Sequence, residues 1–426
     1  MRVRVCLLVG IVGGLLLAVS GCYKAGESTS KTATPKPATA SGPCPTILLA
    51  QAQFIETTDP ETGKTKLTPG PARLEILRDV GGEWTSEVIE DPQSNVFHKA
   101  VLFEDLEDPD AAPGILTIGA NAAALKLWRQ TDGKWNAETL WTTMFGGKQN
   151  RLRDFEIGDV TGDGKLDFAI VTHDQGVVAV LSRGETGWEV TEIDRKKKTF
   201  VHECELGDLD GNGVLEMYGT PSKPNKFDGT PQPGEIVVYR HTPEGFERGV
   251  VEQFPLRHVK EILVTDIDNS GPVLLASVEA ELGERADAPP DAKRTLIKRY
   301  RFENGEYVGD VICTLPDHLC RFLNAGDVDG DGKPELIAST HKKGIWIARP
   351  TAGNWAVELI DADSGGFEHA TVLADLDGDG VQEIYVAADD QQEVRRYRWN
   401  GTQFKRETLH PIDGRKITFG ISAGKR

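Results

Sequence analysis

Short stretches of alternating hydrophobic and polar residues recur along this chain, separated by turns rich in glycine, asparagine and aspartate. Alternation with a period of two indicates strands with one buried face. One pattern occurs seven times: a short strand that ends in Arg, a polar turn, and an aromatic residue that begins the next strand. Its copies run from Leu74 to Trp84, Leu125 to Trp135, Val178 to Trp188, Val237 to Phe246, Ile297 to Tyr307, Ile345 to Trp355 and Val394 to Phe404. Each copy predicts a β-hairpin, and no stretch has a sustained helical period.

An acidic loop precedes the hairpin in most of these units, and it too lies between strands. The clearest copy, Asp327–Glu335, has acidic residues at positions 1, 3, 5 and 9 and glycine at position 6. Nearly the same string occurs at Asp375–Glu383, Asp159–Asp167 and Asp208–Glu216. Each unit therefore reads strand, acidic loop, strand, turn, strand, turn, strand. Four antiparallel strands per roughly fifty residues, repeated seven times, predict an all-β fold, a seven-bladed β-propeller.

The two ends of the chain are expected to complete one blade together. The first unit begins at Thr46–Gln51 and lacks an inner strand with an acidic loop. The end of the chain supplies an orphan strand, Lys416–Ser422. We predict that this C-terminal strand completes the first blade and closes the ring, which removes exposed sheet edges.

The repeated Asp-x-Asp-x-Asp-Gly-x-x-Glu loop resembles the FG-GAP/VCBS repeat family, which includes the propellers of integrin α-subunits and of many bacterial surface proteins. The resemblance covers about residues 46–424. It implies a seven-bladed propeller with calcium in the loops between the first and second strands of several blades. The Phe-Gly and Gly-Ala-Pro elements are mostly absent, so the chain is more similar to the VCBS branch than to an integrin.

The acidic loops are candidate sites for structural calcium, because carboxylates at alternate positions of a tight turn converge on one hard cation. Position 12 falls inside the next strand, so these are nine-residue turns and not EF-hands. The candidate ligands, with a backbone carbonyl at position 7, are Asp159, Thr161, Asp163, Lys165 and Asp167; Asp208, Asp210, Asn212, Val214 and Glu216; Asp327, Asp329, Asp331, Lys333 and Glu335; and Asp375, Asp377, Asp379, Val381 and Glu383. Two further loops, Asp266–Leu274 and Asp105–Gly114, have decayed, and we expect weak or no metal there. A catalytic metal would need an open coordination position and a nearby acid–base group, which the repeat does not supply.

A second set of residues lies at the other end of the predicted inner strands. The residue six places before the first loop aspartate is basic in all six units: Lys99, Arg153, His202, Lys260, Arg321 and His369. These residues would surround the mouth of the central channel on the face away from the calcium, together with the long insertions 56–71, 221–234 and 281–293. Such a ring predicts a site for carboxylate, sulfate or phosphate. The alternative is that each basic residue pairs with a local acid such as Asp154, Glu203, Glu261 or Glu368.

The first residues predict export. A basic start is followed by the apolar run Val5–Val19 and the small residues Ser20 and Gly21 before Cys22. Leu17–Cys22 resembles a bacterial lipobox, which implies a signal peptide over 1–21 and a lipidated Cys22; the alternative is ordinary signal cleavage. Residues 22–45 read as a flexible Ser/Thr/Pro tether to the membrane, and 46–424 as the propeller. We expect an exported lipoprotein of the cell envelope, at the outer membrane or cell surface.

Charge and cysteine content narrow the picture further. The formal net charge of −18 argues against binding to nucleic acid. Of the four cysteines in the body, Cys313 and Cys320 could close a short loop as a disulfide in an exported protein. The alternative is two unrelated buried thiols. A bridge between Cys44 and Cys204 is less favoured.

The predicted function is that of a binding module, for a protein or an anionic glycan, and not that of an enzyme. No Gly-x-Ser-x-Gly, His-Glu-x-x-His or P-loop motif is present. The alternative is a polysaccharide lyase that acts on an acidic polysaccharide. In that mechanism His202 or His369 would abstract a proton, while Arg153 and Arg321 would clamp the carboxylate.

Overall fold

The computed structural model describes residues 44–105, 110–146, 150–173, 175–185, 187–221, 233–281 and 289–426. The predicted signal peptide, the lipidated cysteine and nearly all of the tether lie outside the described residues, as do parts of the last two insertions. None of the described segments is a helix with the length and apolarity needed to cross a membrane.

The described residues form 28 strands and a short 3₁₀ turn at Asp389–Gln391. The strands, in chain order, are β1 (Pro45–Thr58), β2 (Thr65–Val80), β3 (Glu83–Asp91), β4 (Phe97–Phe103), β5 (Gly114–Gly119), β6 (Ala124–Thr131), β7 (Lys134–Thr142), β8 (Leu152–Gly158), β9 (Asp167–Thr172), β10 (Val177–Arg183), β11 (Trp188–Arg195), β12 (Val201–Gly207), β13 (Glu216–Pro221), β14 (Gly234–Thr242), β15 (Gly245–Phe254), β16 (Val259–Thr265), β17 (Val273–Val278), β18 (Thr295–Glu303), β19 (Glu306–Leu315), β20 (Cys320–Gly326), β21 (Glu335–Thr340), β22 (Ile345–Thr351), β23 (Asn354–Asp361), β24 (Thr371–Ala374), β25 (Glu383–Ala388), β26 (Glu393–Trp399), β27 (Phe404–Pro411) and β28 (Lys416–Lys425).

These strands make seven antiparallel sheets of four strands each. Blade 1 has the order β28-β1-β2-β3, so the C-terminal strand is its inner strand. Blades 2 to 7 follow along the chain and begin with β4, β8, β12, β16, β20 and β24. Each of these inner strands contacts the inner strand of the next blade, and β24 contacts β28. The predicted seven-bladed propeller, with its first blade closed by the C-terminal strand, is therefore confirmed.

The hydrophobic core lies between neighbouring blades. All six residues of β9 are buried, as are all six of β13 and of β21, because each second strand is covered on both faces. This burial explains why these strands read as continuous apolar runs. The core cluster around Phe155 and Phe168 of blade 3 also contains Leu116 and Ile118 of blade 2. The outermost strands are largely exposed on one side and keep the alternating pattern.

The antiparallel order of each blade gives the propeller two distinct faces. The acidic loops join the first and second strands of the blades and define the acidic-loop face. The connections between second and third strands, and those between blades, define the insert face. On this face the β1–β2 hairpin extends past the blade, since its pairing continues from Phe54 and Pro69 to Thr58 and Thr65. The first predicted insertion is thus an ordered hairpin.

The inner strands share a β-bulge near the insert face. In β4, β8, β16 and β20 the pairing with the second strand skips one residue: His98, Arg153, Lys260 and Arg321. The pairing of β12 shifts by one residue across His202 and Glu203, and β28 skips Phe419. A bulge leaves its extra residue outside the ladder and re-aims its side chain. Six of the seven blades therefore have an irregular position beside the channel axis, whereas β24 of blade 7 pairs with β25 without a register shift.

Candidate metal loops and channel mouth

The four well-formed acidic loops share one fold, which hydrogen bonds to the first aspartate maintain. In the loop 327–335, Asp327 accepts the N–H of Gly330 through Oδ1 (2.7 Å) and the N–H of Gly332 through Oδ2 (2.9 Å). Both glycines have positive φ, at 78° and 82°, which explains why glycine occupies positions 4 and 6. Glu335 at position 9 is buried and accepts the N–H of Val328 at 3.2 Å. The same contacts of positions 1 and 9 recur in the loop 375–383.

Two of these loops bring three acidic side chains close enough to hold a metal ion. One carboxylate oxygen from each of Asp327, Asp329 and Glu335 lies within 4.8 Å of the others. The same holds for Asp375, Asp377 and Asp379. An all-oxygen donor set of this kind suits a hard divalent cation. Burial and the neighbouring carboxylates of Asp329 and Asp331 raise the pKa of Glu335 to about 7, which reflects the repulsion that a cation would relieve.

The other two loops show the same backbone arrangement with different side chains. Asp208 accepts the N–H of Gly213 at 2.9 Å, and Glu216 accepts the N–H of Leu209 at 2.9 Å. In the loop 159–167, Thr161 replaces the aspartate at position 3 and donates its hydroxyl to Asp167 (3.0 Å). The predicted ligand residues at positions 1 to 7 lie in these turns, and those at position 9 are the first residues of β9, β13, β21 and β25.

The arginine at the end of the third strand has a shared role that the sequence did not reveal. In three blades it contacts the position-3 acid of its own loop: Arg349 Nε lies 3.1 Å from Asp329, Arg240 Nε lies 3.6 Å from Asp210, and Arg398 contacts Asp377. In blade 3, where position 3 is Thr161, Arg183 pairs instead with Asp105 of the neighbouring blade at 2.8 Å. In these four blades the arginine therefore compensates the charge of an acidic loop, whereas Arg78 and Arg129 pair with Glu87 and Glu138 of the outer strands.

In the decayed loop of blade 5, two arginines compensate the charge of the aspartate at position 3. Asp268, at its position 3, lies 3.2 Å from Arg299 and 3.0 Å from Arg301. Ser270 donates its hydroxyl to the same carboxylate, and this bond, together with Arg301, lowers the pKa of Asp268. Two guanidinium groups thus stand where a cation would balance the loop, which fits the expectation of weak or no metal there.

The predicted basic ring forms at the start of the inner strands, with one correction of register. Four of the six residues, Arg153, His202, Lys260 and Arg321, lie at the bulges of their inner strands. His369 lies two residues before β24 and has a positive φ of 56°. In blade 2 the bulge belongs to His98, and Lys99 is the next residue along β4. The error arose because the first acidic loop is one residue further from its strand, so counting back from Asp105 misses the bulge. Phe419 supplies the seventh member, and it was missed because β28 has no acidic loop to align on.

The cationic members of the ring contact carboxylates of their own and of other blades. Arg153 lies 3.1 Å from Glu203, and Lys260 lies 3.3 Å from the same carboxylate. Lys260 also lies 3.0 Å from Glu261 and 3.8 Å from Glu368. These contacts, with those of Lys99 to Asp154 and of Arg321 to Glu368, follow the alternative in which local acids neutralise the ring.

Burial makes this network sensitive to each of its charges. Burial opposes the charged form of Lys260, but the carboxylates of Glu261, Glu368 and Glu203 outweigh it and raise the pKa of Lys260. Burial and the neighbouring Glu261 raise the pKa of Glu203 well above its usual range, against the opposing effect of Arg153. The mouth is therefore a closed set of mutually dependent charges rather than an open basic ring.

The two histidines of the predicted ring differ in what they can do. His369 is fully buried, its Nδ1 bonds the carbonyl of Thr340 (2.9 Å), and its Nε2 bonds the hydroxyl of Ser364 (2.8 Å). Burial lowers the pKa of His369 to about 4, so the imidazole ring is neutral near pH 7. Both of its nitrogens are engaged in hydrogen bonds. His202 packs edge-on against His173 with ring centroids 5.5 Å apart. For the alternative lyase mechanism, His369 is thus unsuited as the base.

The predicted Cys313–Cys320 disulfide is not present. Both residues are buried free thiols in one core cluster between blades 5 and 6, where they pack as small apolar side chains. Cys44 and Cys204 are also free. The short spacing along the chain was misleading, because Cys313 belongs to an outer strand and Cys320 to an inner strand of the next blade.

The fold and its loops place this chain among repeat β-propellers. Residues 159–219 and 327–386 match the FG-GAP-like repeat, and each match begins at the first aspartate of one metal loop and includes the next loop. These two segments carry FG-GAP-like repeats, and the described residues form a seven-bladed β-propeller, as the sequence resemblance predicted. No protein of established function matches this sequence at a significant level.

Solved structures share the architecture at low sequence identity. A protein from Lactobacillus plantarum matches with a TM-score of 0.55 and 11% identity, covering 89% of this chain and 99% of that one. A putative 6-phosphogluconolactonase from Bacteroides uniformis matches with a TM-score of 0.52 and 12% identity over the same shares. The periplasmic gluconolactonase of Pseudomonas aeruginosa matches with a TM-score of 0.49 and 14% identity, covering 88% and 99%.

The prediction that the chain is not an enzyme was wrong. It relied on the absence of nucleophile, zinc-protease and P-loop motifs. The similarity to the putative 6-phosphogluconolactonase shows that this fold is shared with proteins bearing the name of an enzyme. A propeller brings its polar residues together from different blades, so a missing linear motif does not exclude catalysis.

Proposed function

We propose that this chain is an exported, lipid-anchored β-propeller that calcium stabilises and that binds a protein or an anionic glycan on its insert face. A β-propeller fold fits an interaction module. The observation that carries the proposal is the division of the molecule into two faces. Repeated acidic loops occupy one face, while the β1–β2 hairpin and the channel mouth occupy the other.

Calcium is the ion that best suits the four loops. Each offers oxygen ligands at positions 1, 3, 5 and 9 and a backbone carbonyl at position 7, and calcium accepts several such oxygens in a flexible geometry. Bound calcium would balance carboxylates that the third-strand arginines only partly neutralise. Its role here is to stabilise the loops, and the ligands of all four sets would act together.

The calcium proposal is tested by melting the protein with and without chelator. Extracellular calcium modules bind with dissociation constants on the order of 10⁻⁴–10⁻³ M, so ~5 mM calcium would stabilise each loop by about 1–2 kcal/mol. Four occupied loops would add about 4–8 kcal/mol by the same relation. Excess EDTA is therefore expected to lower the melting temperature clearly. The proposal would be contradicted if EDTA left the melting temperature unchanged and if magnesium and calcium gave the same melting temperature.

The binding face is tested by blocking each face in turn. A polyethylene glycol chain is attached through Lys343→Cys on the insert face or through Thr402→Cys on the acidic-loop face, both at exposed positions. Binding is then measured against a panel of acidic and neutral polysaccharides and cell-envelope proteins. Blocking the insert face should remove binding, and blocking the acidic-loop face should not. The opposite pattern would refute the assignment of the faces. Ultraviolet absorbance of unsaturated sugar products in the same samples tests the lyase alternative.

Anchoring is tested separately through the signal segment. If Cys22 is lipidated, the wild-type chain should incorporate labelled palmitate and sediment with membranes. Cys22→Ala should abolish the label and release the chain into the aqueous fraction. Retention of label in this variant would exclude the lipoprotein assignment without affecting the proposals about the propeller.

A further inference from the structure

A compact group of basic and aromatic side chains lies on the insert face of blade 6, although the chain as a whole is strongly acidic. We call this group the blade 6 patch and define it as His318, Arg321, His341, Lys342 and Phe367. His318 and Phe367 are 51% and 48% exposed, respectively, and Lys342 is exposed. Its residues come from the bulge of β20 and from three surrounding loops.

Close contacts hold the patch together. The ring centroids of His318 and His341 are 5.2 Å apart. The guanidinium carbon of Arg321 lies 4.9 Å from the ring centroid of Phe367. Asp317 is buried beneath the patch and accepts the N–H groups of His318 (2.7 Å) and Lys342 (2.6 Å). Asp317 also lies 2.7 Å from Nδ1 of His318, so this aspartate fixes two of the loops and pairs with one of the patch residues.

The patch also contains polar atoms that the described residues leave unsatisfied. Arg321 Nε and His341 Nδ1 are buried without a hydrogen-bond partner. Buried polar atoms are normally paired, and an exception needs an explanation such as a missing ligand or water. Burial, followed by the nearby Arg321, lowers the pKa of His341. On the blade 7 side, Asp389 and Asp390 lie beside Gly366 and Gly365, which precede Phe367.

We propose that the blade 6 patch binds an acidic saccharide. The apolar C–H face of a sugar ring would stack on the exposed ring of Phe367, because an aromatic ring offers a large apolar contact surface. A sulfate or carboxylate on the same sugar would contact Lys342 and the unsatisfied donor of Arg321. This inference rests on the proposed function and assigns its ligand to one class, the anionic glycan, and to one blade.

The neighbouring ion-pair network does not provide this site. Arg153 and Lys260 are at least nine-tenths buried and surrounded by carboxylates, so an added anion there would meet repulsion. Lys342 and Lys343, in contrast, are exposed at the rim, and no ion pair of theirs is found among the described residues. Within the patch Arg321 lies 3.2 Å from Glu368 and His318 lies 2.7 Å from Asp317, so the cationic charge left for a ligand is mainly that of Lys342. The patch is thus the part of the mouth where an exposed ammonium group and an exposed aromatic ring occur together.

The test measures binding of the detergent-solubilised full chain to four polymers. Dextran sulfate and polygalacturonate carry sulfate and carboxylate on sugar, dextran is the neutral control, and polyacrylate is a carboxylate polymer without sugar. We expect binding to at least one acidic polysaccharide, none to dextran, and at least ten-fold weaker binding to polyacrylate. Which acidic polymer binds more tightly identifies the anionic group.

Three single variants locate the site. Phe367→Ala removes the stacking surface and is expected to weaken binding about ten-fold, equal to about 1.4 kcal/mol. Lys342→Glu reverses a rim charge and should weaken it at least as much. Lys405→Glu makes the same charge change at an exposed position of the outer strand β27 and should have no effect.

Several outcomes would overturn the proposal. Equal binding of polyacrylate and the polysaccharides would indicate simple charge attraction. Equal losses in Lys342→Glu and Lys405→Glu would show that the patch is not the site. If none of the acidic polymers binds, the proposal fails, whereas the proposed function still stands if a protein ligand is lost on blocking the insert face.

Discussion

The ion-pair network at the channel mouth gives the sharpest prediction, and Lys260 is its central residue. The side chain of Lys260 is 3% exposed and contacts three carboxylates, those of Glu203, Glu261 and Glu368, at 3.3, 3.0 and 3.8 Å. Lys260→Met preserves most of the side-chain volume and removes the charge. The remaining carboxylates would then be buried with less compensation. Breaking a buried ion pair in this way costs about 3–5 kcal/mol, which we expect as the loss in unfolding free energy at neutral pH.

The loss should depend on pH in a defined direction. Burial raises the pKa of Glu203 above that of the unfolded chain, so the folded state binds its proton more readily. The contribution of such a carboxyl to stability is present at low pH and declines as pH rises above about 4.3. Removing Lys260 raises this pKa further, since Lys260 is one of the groups that lower it. The variant should therefore lose more stability near pH 8 than near pH 5.

Denaturant unfolding at these two pH values measures the effect. Glu261→Gln added to Lys260→Met removes one uncompensated charge and should recover part of the loss, with an interaction energy of about 0.5–3 kcal/mol. Lys405→Met, at an exposed position on an outer strand, should change stability by less than about 0.5 kcal/mol. A loss below about 1 kcal/mol in Lys260→Met, or a loss equal at both pH values, would refute the reasoning.

Three further predictions concern other parts of the propeller. Asp327→Asn should reduce the calcium-dependent part of stability by about 1–2 kcal/mol, whereas Asp268→Asn should leave it unchanged because arginines already balance that loop; melts with and without EDTA compare them. The thiol of Cys313 is buried and its pKa is raised to about 12 by burial, so a thiol reagent should modify it only after denaturation. Rapid modification of Cys313 itself in the native protein, resolved by peptide mapping from that of the half-buried Cys44, would contradict this placement. Gly344→Ala, at φ +83°, would place a methyl group in a clash with the backbone carbonyl oxygen of Asp361, whereas Gly401→Ala has a similar φ of +91° and open space around it. The control Gly401→Ala should lower the unfolding free energy by about 1–2 kcal/mol, and Gly344→Ala by at least ~1 kcal/mol more. Equal melting temperatures of the two variants would refute the contact.

The fold and the metal loops could be predicted because their signals are local and repeated. Nine residues from Asp327 to Glu335 contain the whole loop, including the glycines that its backbone requires. The alternation of hydrophobic and polar residues predicts the strands on either side. The closing strand β28 also followed from the pattern, because a ring with an incomplete first blade needs exactly one more strand from elsewhere in the chain.

The channel mouth could be predicted only in part, because its chemistry depends on contacts between blades. The basic positions were visible, but the bulges were not, so the register slipped from His98 to Lys99 in blade 2. The partners of Arg153 and Lys260 include acids of other blades, and a unit-by-unit alignment does not show which of these residues meet. The same limit explains the missed role of the third-strand arginines and the disulfide that does not form.

The two ends of the inner strands follow different physical requirements, and this explains why one end repeats and the other varies. Each acidic loop makes its hydrogen bonds within its own nine residues, so the same sequence forms the same turn in several blades. At the mouth, six bulge positions and His369 converge on one axis, and seven identical cations there would repel one another. The ring instead combines arginine, lysine, histidine and phenylalanine, with carboxylates of neighbouring strands between the charges. The residue types in the ring therefore depend on the charge balance among all of its members, and not on the repeat sequence of each blade. In the blade 6 patch this balance leaves cationic groups beside an exposed aromatic ring.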